Sequence, residues 1–553
     1  MKRLVSCTES RDLDASSRNI FGLDSLLLME KASIRMWDCL LRHIENSPDL
    51  SHKGRNVKIL ALCGKGDNGG DSLAMLRHAR SEGFKKLAAL ISSQVLSAST
   101  ELQMGFLQKA GIPCLKWAEL KEEERARLYA ESDIVLDGIL GSGILGPARG
   151  EALDMIALTK ASVSPRPVGD SEIPAVSAFS DALGKPSRAL LVSVDIPSGL
   201  GDLWTETFPA VDADLSLCLE PIKDICFAPS ARRHCGRILS VGGVFPHDLI
   251  ACAGTKSLLK EQDLQGLLDP VTPEAYKMSR GRLGIFAGSL GSAGAALLCA
   301  KAAAAAGVGY IYLYVDEALY PVVAPAAEST IVRTWKAETE IPYCDAVLAG
   351  PGWGTGDERI PMLQTLGSVE DRPLILDADA IRLLAKQSRL RDSFLCPVAL
   401  TPHPGEYREF AGSLSIGESE PFSLSIARMA ECMNALIIAK SHITWIQGKE
   451  SCYVWEGLTP ELGVAGSGDV LAGLFAGLLA RKIARLRGAG NKKAILRKTI
   501  ERSMEEAACA VVIAHGSAGR RLAQGSGWFD ASQLIEACAQ ILHGKNNGEG
   551  KDT

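Results

Sequence analysis

Ala465-Gly466-Ser467-Gly468-Asp469-Val470-Leu471-Ala472-Gly473 is the stretch on which the reading of this chain turns. Glycine and serine run into an aspartate, and an apolar helical pattern begins at once, from Val470. Glycine leaves backbone N–H groups uncovered, and the first turn of a helix points its own free N–H groups and the positive end of its dipole the same way. Together they form a pocket for a phosphate or a developing anion. Asp469 stands at the lip of that pocket, where a carboxylate can take the proton of a substrate hydroxyl. The combination points to phosphoryl transfer to an alcohol. Taken alone, a glycine-rich turn capped by aspartate explains the same residues.

Outward from this loop, the order strand, glycine loop, helix recurs in both halves. In the second, Leu283-Gly284-Ile285-Phe286-Ala287 reads as a strand, residues 288–294 as its loop, and an alanine-dense helix runs to Ala306. Further strands are expected at 311–315, 346–349, 374–376 and 436–439, with helices from Val470 and over 500–515. In the first half, Val57 to Leu62 is a strand, 64–70 a loop and 71–80 a helix, with later strands at 134–136 and 190–195. Strands alternating with helices imply parallel sheets covered on both faces. The fold class is therefore α/β in two domains, because 553 residues exceed one ordinary core. The expected boundaries are a first domain over 1–245, a connector over 246–274, a second domain over 275–543 and a disordered tail over 544–553. The Pro-, Ser- and Ala-rich residues 161–188 read as a surface loop within the first domain.

Composition narrows the partners. A chain with 46% hydrophobic and 23% charged residues and a net charge of −5 has no basic run to hold nucleic acid or an anionic membrane. Its fifteen cysteines stand singly without C-x-x-C, and Cys218, Cys226 and Cys235 match no zinc template. The first residues are charged and lack the apolar core of a signal peptide. Residues 291–314, interrupted by Lys301, read as a buried helix followed by a strand rather than a membrane span. A cytoplasmic protein acting on small molecules is expected. Ala302–Ala306 suits a core or a homo-oligomer contact equally, so oligomeric state stays open.

Three loops of the first half fall where strands should end: Gly64-Lys65-Gly66-Asp67-Asn68-Gly69-Gly70-Asp71, Asp137-Gly138-Ile139-Leu140-Gly141-Ser142-Gly143 and Val194-Asp195-Ile196-Pro197-Ser198-Gly199-Leu200. Ligands of α/β sheets bind outside the carboxyl ends of the strands. The first loop lacks the Gly-Lys-Ser/Thr of a Walker A motif. Its Asp67-Asn68 pair adds side-chain oxygens to a backbone anion cradle, which suits a monovalent cation beside a phosphate-bearing ligand. In this order, with the earlier Leu28-Met29-Glu30-Lys31-Ala32, the segments resemble the NAD(P)H-hydrate epimerase domain. The resemblance implies a Rossmann-like fold and interconversion of the R and S forms of nicotinamide hydrated at C6. It implies K+ ligands at Asn68, Asp137 and Ser198. It implies substrate contacts from Asp67, Asn68, Gly69, Gly70 and Asp71 and from Gly141, Ser142, Gly143, Ile144, Leu145, Gly146 and Pro147. Asp195 would lie near the nicotinamide as acid/base, since the C6–O bond must break and reform. Two positions and one three-residue run depart from that family: Asp67 for asparagine, Ser72 for glycine, and Gly201-Asp202-Leu203 for Asn-Ala-Asp.

The second half carries Gly350-Pro351-Gly352-Trp353-Gly354, Leu376-Asp377-Ala378-Asp379-Ala380 and Thr401-Pro402-His403-Pro404-Gly405-Glu406. A histidine between prolines, beside glycine loops, reads as a substrate contact more readily than as a core residue. Lys440 ends a strand where it can reach phosphates, or is an ordinary strand-end lysine. With the closing Gly466–Asp469 loop, His515-Gly516 and Ala531-Ser532-Gln533-Leu534, these resemble the ADP-dependent NAD(P)H-hydrate dehydratase domain of the ribokinase-like superfamily. The order of the two halves is that of the fused bacterial repair enzymes. The resemblance implies that Asp469 deprotonates the C6 hydroxyl while Gly466, Ser467 and Gly468 hold the transferring phosphoryl group. Gly352 and His403, with Asp469, would hold the hydrate; Lys440, Ser441, Thr444, Gly466, Ser467 and Gly468 would hold ADP, with Mg2+ clamping its phosphates. Loss of phosphate then restores the ring double bond, so NADHX or NADPHX plus ADP gives NAD(P)H, AMP and phosphate. Ser441, and Thr459-Pro460-Glu461-Leu462 before the anion loop, depart from the family. The competing reading is a ribokinase-like vitamin or metabolite kinase joined to a non-catalytic N-terminal binding domain.

Overall fold

Residues 1–161, 189–270, 272–417, 419–488 and 495–544 are described by a computed structural model. The Pro/Ser/Ala-rich stretch from 162 and the tail after 544 lie outside the described residues. The chain divides into two units, one of Lys2–Lys256 and one from Ser257 onward that also takes Met1.

In the first unit, short apolar runs become strands because both their faces can be covered. These are β1 (Lys2–Val5), β2 (Ile59–Cys63), β3 (Leu87–Ile91), β4 (Cys114–Lys116), β5 (Ile134–Gly138), β6 (Leu190–Val194), β7 (Leu215–Leu219), β8 (Ile222–Lys223) and β9 (Arg237–Val241). Every residue of β2, β5 and β7 is buried, as a parallel strand between helix layers requires. The sheet order is β4-β3-β2-β5-β6-β7-β9, all pairings parallel. β1 pairs with β8 in parallel. Sheet growth reverses direction between β2 and β5, which opens a crevice beyond their carboxyl ends. The helix expected from 71 starts four residues earlier, at Asp67, and ends at Ser81. The glycine loop is thus only Gly64–Gly66, with Gly66 as an extended N-cap residue. An aspartate at the first helical position suits the helix dipole, and Thr100 Oγ1 anchors the turn by donating to the Gly66 carbonyl at 2.9 Å. β6 stops at Val194, one residue short of expectation, because Asp195 takes a left-handed conformation with φ 67°.

The second unit follows β10 (Lys256–Leu258), which crosses the division of the chain. Its strands are β11 (Arg282–Phe286), β12 (Tyr310–Val315), β13 (Ile331–Thr334), β14 (Ala346–Ala349), β15 (Leu374–Leu376), β16 (Val398–Leu400), β17 (Ala435–Ala439), β18 (Ile443–Gln447) and β19 (Cys452–Glu456). They run in the order β13-β12-β11-β14-β15-β16-β17-β18-β19, parallel as far as β17 and antiparallel beyond it. The alanine-rich stretch is the helix Ala293–Ala305 followed by β12, as read.

The anion-loop helix spans Ser467–Arg487, so it starts three residues before Val470. Gly466, at φ 89°, is its left-handed N-cap residue, a conformation that favours glycine. This helix packs on Ala293–Ala305 so closely that a Cβ on Gly473 would lie 2.4 Å from the Cys299 carbonyl oxygen. A mid-helix glycine costs about 1 kcal/mol relative to alanine, and here it admits the neighbouring backbone. The helix expected over 500–515 runs from Arg497 to Ser526. Its internal Gly516 and Gly519 do not end it, because Trp455 and Leu462 fill the space their side chains would take. Among the described residues no helix is long and apolar enough to cross a membrane.

Candidate active sites

In the first unit, the loops after β2, β5 and β6 wall a cavity of about 490 Å³. Of the residues expected there, Asp67, Asn68, Asp71, Gly141, Ser142, Gly143, Ile144 and Asp195 line it. Gly69 and Gly70 do not, because they lie buried in the first helical turn. A Cβ on Gly69 would strike the Gly64 carbonyl at 2.3 Å, and one on Gly70 the Met29 side chain at 2.7 Å. Leu145, Gly146 and Pro147 are not among its walls either, and Leu145 points outward at 67% exposure.

Asp137 is fully buried at the end of β5. It accepts from Ser198 Oγ at 2.5 Å, Ser198 N–H at 2.9 Å and Ser193 Oγ at 2.7 Å. Ser198 Oγ also lies 3.0 Å from the Leu140 carbonyl oxygen, to which Asn68 Nδ2 donates at 3.1 Å. Asn68, Asp137 and Ser198 therefore converge on one spot. Burial raises the Asp137 carboxyl above the usual carboxylate range, opposed by its hydrogen bonds from Ser198, Ser193 and Ile139.

Asp195 faces a partner that sequence reading missed. Lys223 Nζ donates to its Oδ1 at 2.6 Å, and the Leu219 N–H does so at 3.2 Å. Lys223 is 1% exposed. Burial alone would lower its ammonium, but the Asp195 charge and hydrogen bond hold it above the ordinary lysine range. The one signal in the sequence is a lysine four residues beyond the strand-like Leu215–Leu219.

In the second unit a cavity of about 500 Å³ is lined by His403, Lys440, Ser441, Thr444, Ser467 and Gly468, among others. Gly352, Gly466 and Asp469 are not among its walls: Gly466 and Asp469 flank the wall residues Ser467 and Gly468, and Gly352 sits on the loop after β14, where a Cβ would meet Ser292 at 2.7 Å. His403 is the N-cap of the helix Pro404–Ser413. Its Nδ1 accepts from the Gly405 N–H at 3.0 Å, and its Nε2 lies 3.1 Å from Glu406. The ring is thus both a helix cap and a cavity wall.

Lys440 Nζ donates to Asp377 Oδ1 at 2.7 Å and lies 3.5 Å from where a Gly468 Cβ would stand. Asp377, which sequence reading left without a role, also accepts from Thr401 Oγ1 at 2.6 Å. The next residue, Ala378, holds φ 47° and ψ −116°, a strain of about 1–3 kcal/mol that sharply turns the chain between Asp377 and Asp379. Asp469 is on the first turn of Ser467–Arg487, its carboxyl pushed up to about 6 by burial and by Asp377 and Glu406, with Lys440 opposing. His515 Nε2 lies 3.2 Å from Ser467 Oγ, and burial pushes its ring down to about 4, so it supports the loop uncharged. Ser441 and Thr444 spend their hydroxyls on the turn itself, at the Ile443 and Ser441 carbonyls.

Two family models match in tandem: the YjeF-related protein N-terminus over residues 25–224 and NAD(P)H-hydrate dehydratase over 283–540. The chain belongs to the bifunctional NAD(P)H-hydrate repair family. The bifunctional NAD(P)H-hydrate repair enzyme Nnr of Methanopyrus kandleri is 29% identical over 553 aligned residues, 96% of this chain and 95% of that protein. Its counterpart in Moorella thermoacetica is 27% identical, over 86% of this chain and 87% of that protein. Among solved structures, an ADP/ATP-dependent NAD(P)H-hydrate dehydratase from Bacillus subtilis aligns at 22% identity and a TM-score of 0.43, covering 52% of this chain and 97% of its own.

Against this family, the departures have local explanations. Asp67 is held by Ser97 Oγ at 2.8 Å. Ser72 Oγ donates to the Asn68 carbonyl at 3.1 Å and occupies the space over Gly138. Asp202 accepts from Cys7 N–H at 2.6 Å, Thr8 N–H at 2.9 Å and Thr8 Oγ1 at 2.8 Å, so it clamps the start of the helix Cys7–Phe21.

Proposed function

We propose that the chain repairs hydrated nicotinamide nucleotides: the first unit interconverts the R and S hydrates, and the second dehydrates the S form at the expense of ADP. The observation that carries this reading is that the first cavity gathers Asp67, Asn68, Asp71 and Asp195 beside Lys223, and the second gathers His403, Ser467 and Gly468 beside Lys440, which is paired with Asp377. NADHX and NADPHX both fall within the proposal.

In the second unit, Asp469 takes the C6 hydroxyl proton. The N–H groups of Gly468 and Asp469, in the first turn of the Ser467–Arg487 helix, face the charge on the transferring phosphoryl group, while the Ser467 N–H donates to the Val464 carbonyl at 3.2 Å. Lys440, steadied by Asp377, supplies a cation beside that loop. Phosphorylation turns hydroxide, a poor leaving group, into phosphate, and its loss restores the ring double bond. Mg2+ would enter on the nucleotide phosphates as a clamp. Among the described residues no group of three or more His, Cys, Asp or Glu side chains is placed to hold an ion by itself.

In the first unit, Asp195 handles the proton of the C6 oxygen, with Lys223 as its counter-ion. A K+ ion would fit beside Asp137. The buried carboxylate there is met by hydroxyl and backbone groups, and Asp137, Ser198 Oγ and the Leu140 carbonyl offer the hard oxygens such an ion takes, with the Asn68 amide beside them through Nδ2. Bound there, the ion would supply charge for the substrate phosphates. All fifteen cysteines are free thiols, which supports a reducing, cytoplasmic location.

The test is an assay with mixed hydrate epimers, ADP and Mg2+. The expected products are NADH, AMP and free phosphate, with both epimers consumed. A stable phosphate ester in place of free phosphate would identify a kinase instead.

A further inference from the structure

Asp71 lies one turn into the helix Asp67–Ser81 and lines the first cavity together with Asp195 and Lys223. Its Oδ1 is buried and has no hydrogen-bond partner. The charged groups that face it are Asp195 and Lys223 from the strand ends, Asp67 on its own helix and Asp14 on the helix Cys7–Phe21. That makes three carboxyl groups and one ammonium, and the ammonium already donates to Asp195 at 2.6 Å. A half-buried carboxyl group crowded by other carboxylates, with Lys223 committed to Asp195, is driven toward its protonated form. Burial first, then Asp195 and Asp67, push the Asp71 carboxyl well above the usual carboxylate range. One carboxyl group without a hydrogen-bond partner for its buried oxygen, across from another held by an ammonium, is an arrangement that acid–base chemistry can use.

We infer that Asp71 is the proton donor and Asp195 the proton acceptor of R/S exchange, split into acid and base by Lys223. This inference rests on the epimerase reading of the first unit. The step balances as follows. Asp71 gives its proton to the C6 hydroxyl, the C6–O bond breaks, water departs, and the ring nitrogen's electron pair forms a C=N+ bond. A second water attacks C6 from the other face and gives its proton to Asp195. One solvent oxygen enters per inversion, and proton exchange with solvent restores Asp71–COOH and the Asp195 carboxylate.

The experiment uses the full chain without ADP, so that the second unit is idle, and follows exchange of separated hydrate epimers. Asp71→Asn is expected to lower kcat about 100-fold or more while KM stays within about threefold. In 18O-labelled water the wild-type chain should place one labelled oxygen at C6 per inversion. Exchange should also fall as pH rises through the Asp71 titration, and the falling limb should move in Asp71→Glu. A wild-type chain that binds the hydrates without exchanging them removes the epimerase reading itself. A wild-type chain that exchanges them while Asp71→Asn keeps its kcat, or loses only KM, overturns the inference alone, as does inversion without label. Should Asp71→Asn fail to fold, the Asp71→Glu pH profile decides, and an unmoved limb contradicts the inference.

Discussion

In the first unit Lys223 and Asp195 are both nearly sealed, at 1% and 8% exposure, and both stand in the wall of the ligand cavity. In the second, Asp377 is buried behind the cavity, and its partner Lys440 reaches toward the anion loop. Each pair stands beside another carboxyl group raised by its surroundings, Asp71 in one and Asp469 in the other. The contrast teaches that the same pair can serve opposite ends. With both groups in the wall, the lysine holds the aspartate beside the ligand for proton transfer. With the lysine forward, the aspartate aims a cation at phosphate.

The largest effect expected from this contrast is at Asp469. Asp469→Asn should lower NADH formation from the S hydrate and ADP by about 10³-fold while leaving R/S exchange intact. Next comes Lys223→Met, which strands Asp195 as a buried charge. It should cost about 3–5 kcal/mol in urea denaturation of the first unit and abolish most R/S exchange. Lys440→Met should cost less stability, because Asp377 keeps the Thr401 hydroxyl and Lys440 is partly solvated. Equal losses from the two lysine variants would break the comparison.

The carboxyl group of Asp469 carries a pH signature. A base must be ionised, so dehydration should fall as pH drops through about 6. The linkage runs the other way for stability. The folded state holds this proton more tightly than the unfolded chain, so stability declines as pH rises from about 4 to about 6. Asp469→Asn should therefore stabilise the second unit at pH 7–8 by about 1–3 kcal/mol, seen as a raised melting temperature. The smallest effect is at Asp67. Its carboxylate is held by Ser97, so Asp67→Asn should change the hydrate KM of the first unit by less than about threefold.

Sequence patterns revealed the strand–loop–helix order and the glycine loops, because buried parallel strands are continuous apolar runs and tight turns demand glycine. Helix starts were misplaced at Asp67 and Ser467, since N–H-rich glycine segments read as loops even when they form a first helical turn. Which motif residues line a cavity was only partly legible. Gly69, Gly70 and Gly352 serve close packing, which spacing alone does not separate from ligand contact. Lys223 and Asp377 escaped because their roles depend on partners 28 and 63 residues away in sequence. Asp67 and Asp202 depart from the family motif in sequence, and only the fold supplies their partners, Ser97 and the start of the Cys7–Phe21 helix.

The most direct test of two independent chemistries in one chain is complementation with pure R hydrate, ADP and Mg2+. Asp469→Asn alone should equilibrate R with S and yield almost no NADH. Asp195→Asn alone should leave the R form unconsumed beyond its spontaneous rate. An equimolar mixture of the two variants should convert R hydrate fully to NADH. Failure of the mixture, or full conversion by either variant alone, would contradict the assignment of Asp195 and Asp469 to separate steps.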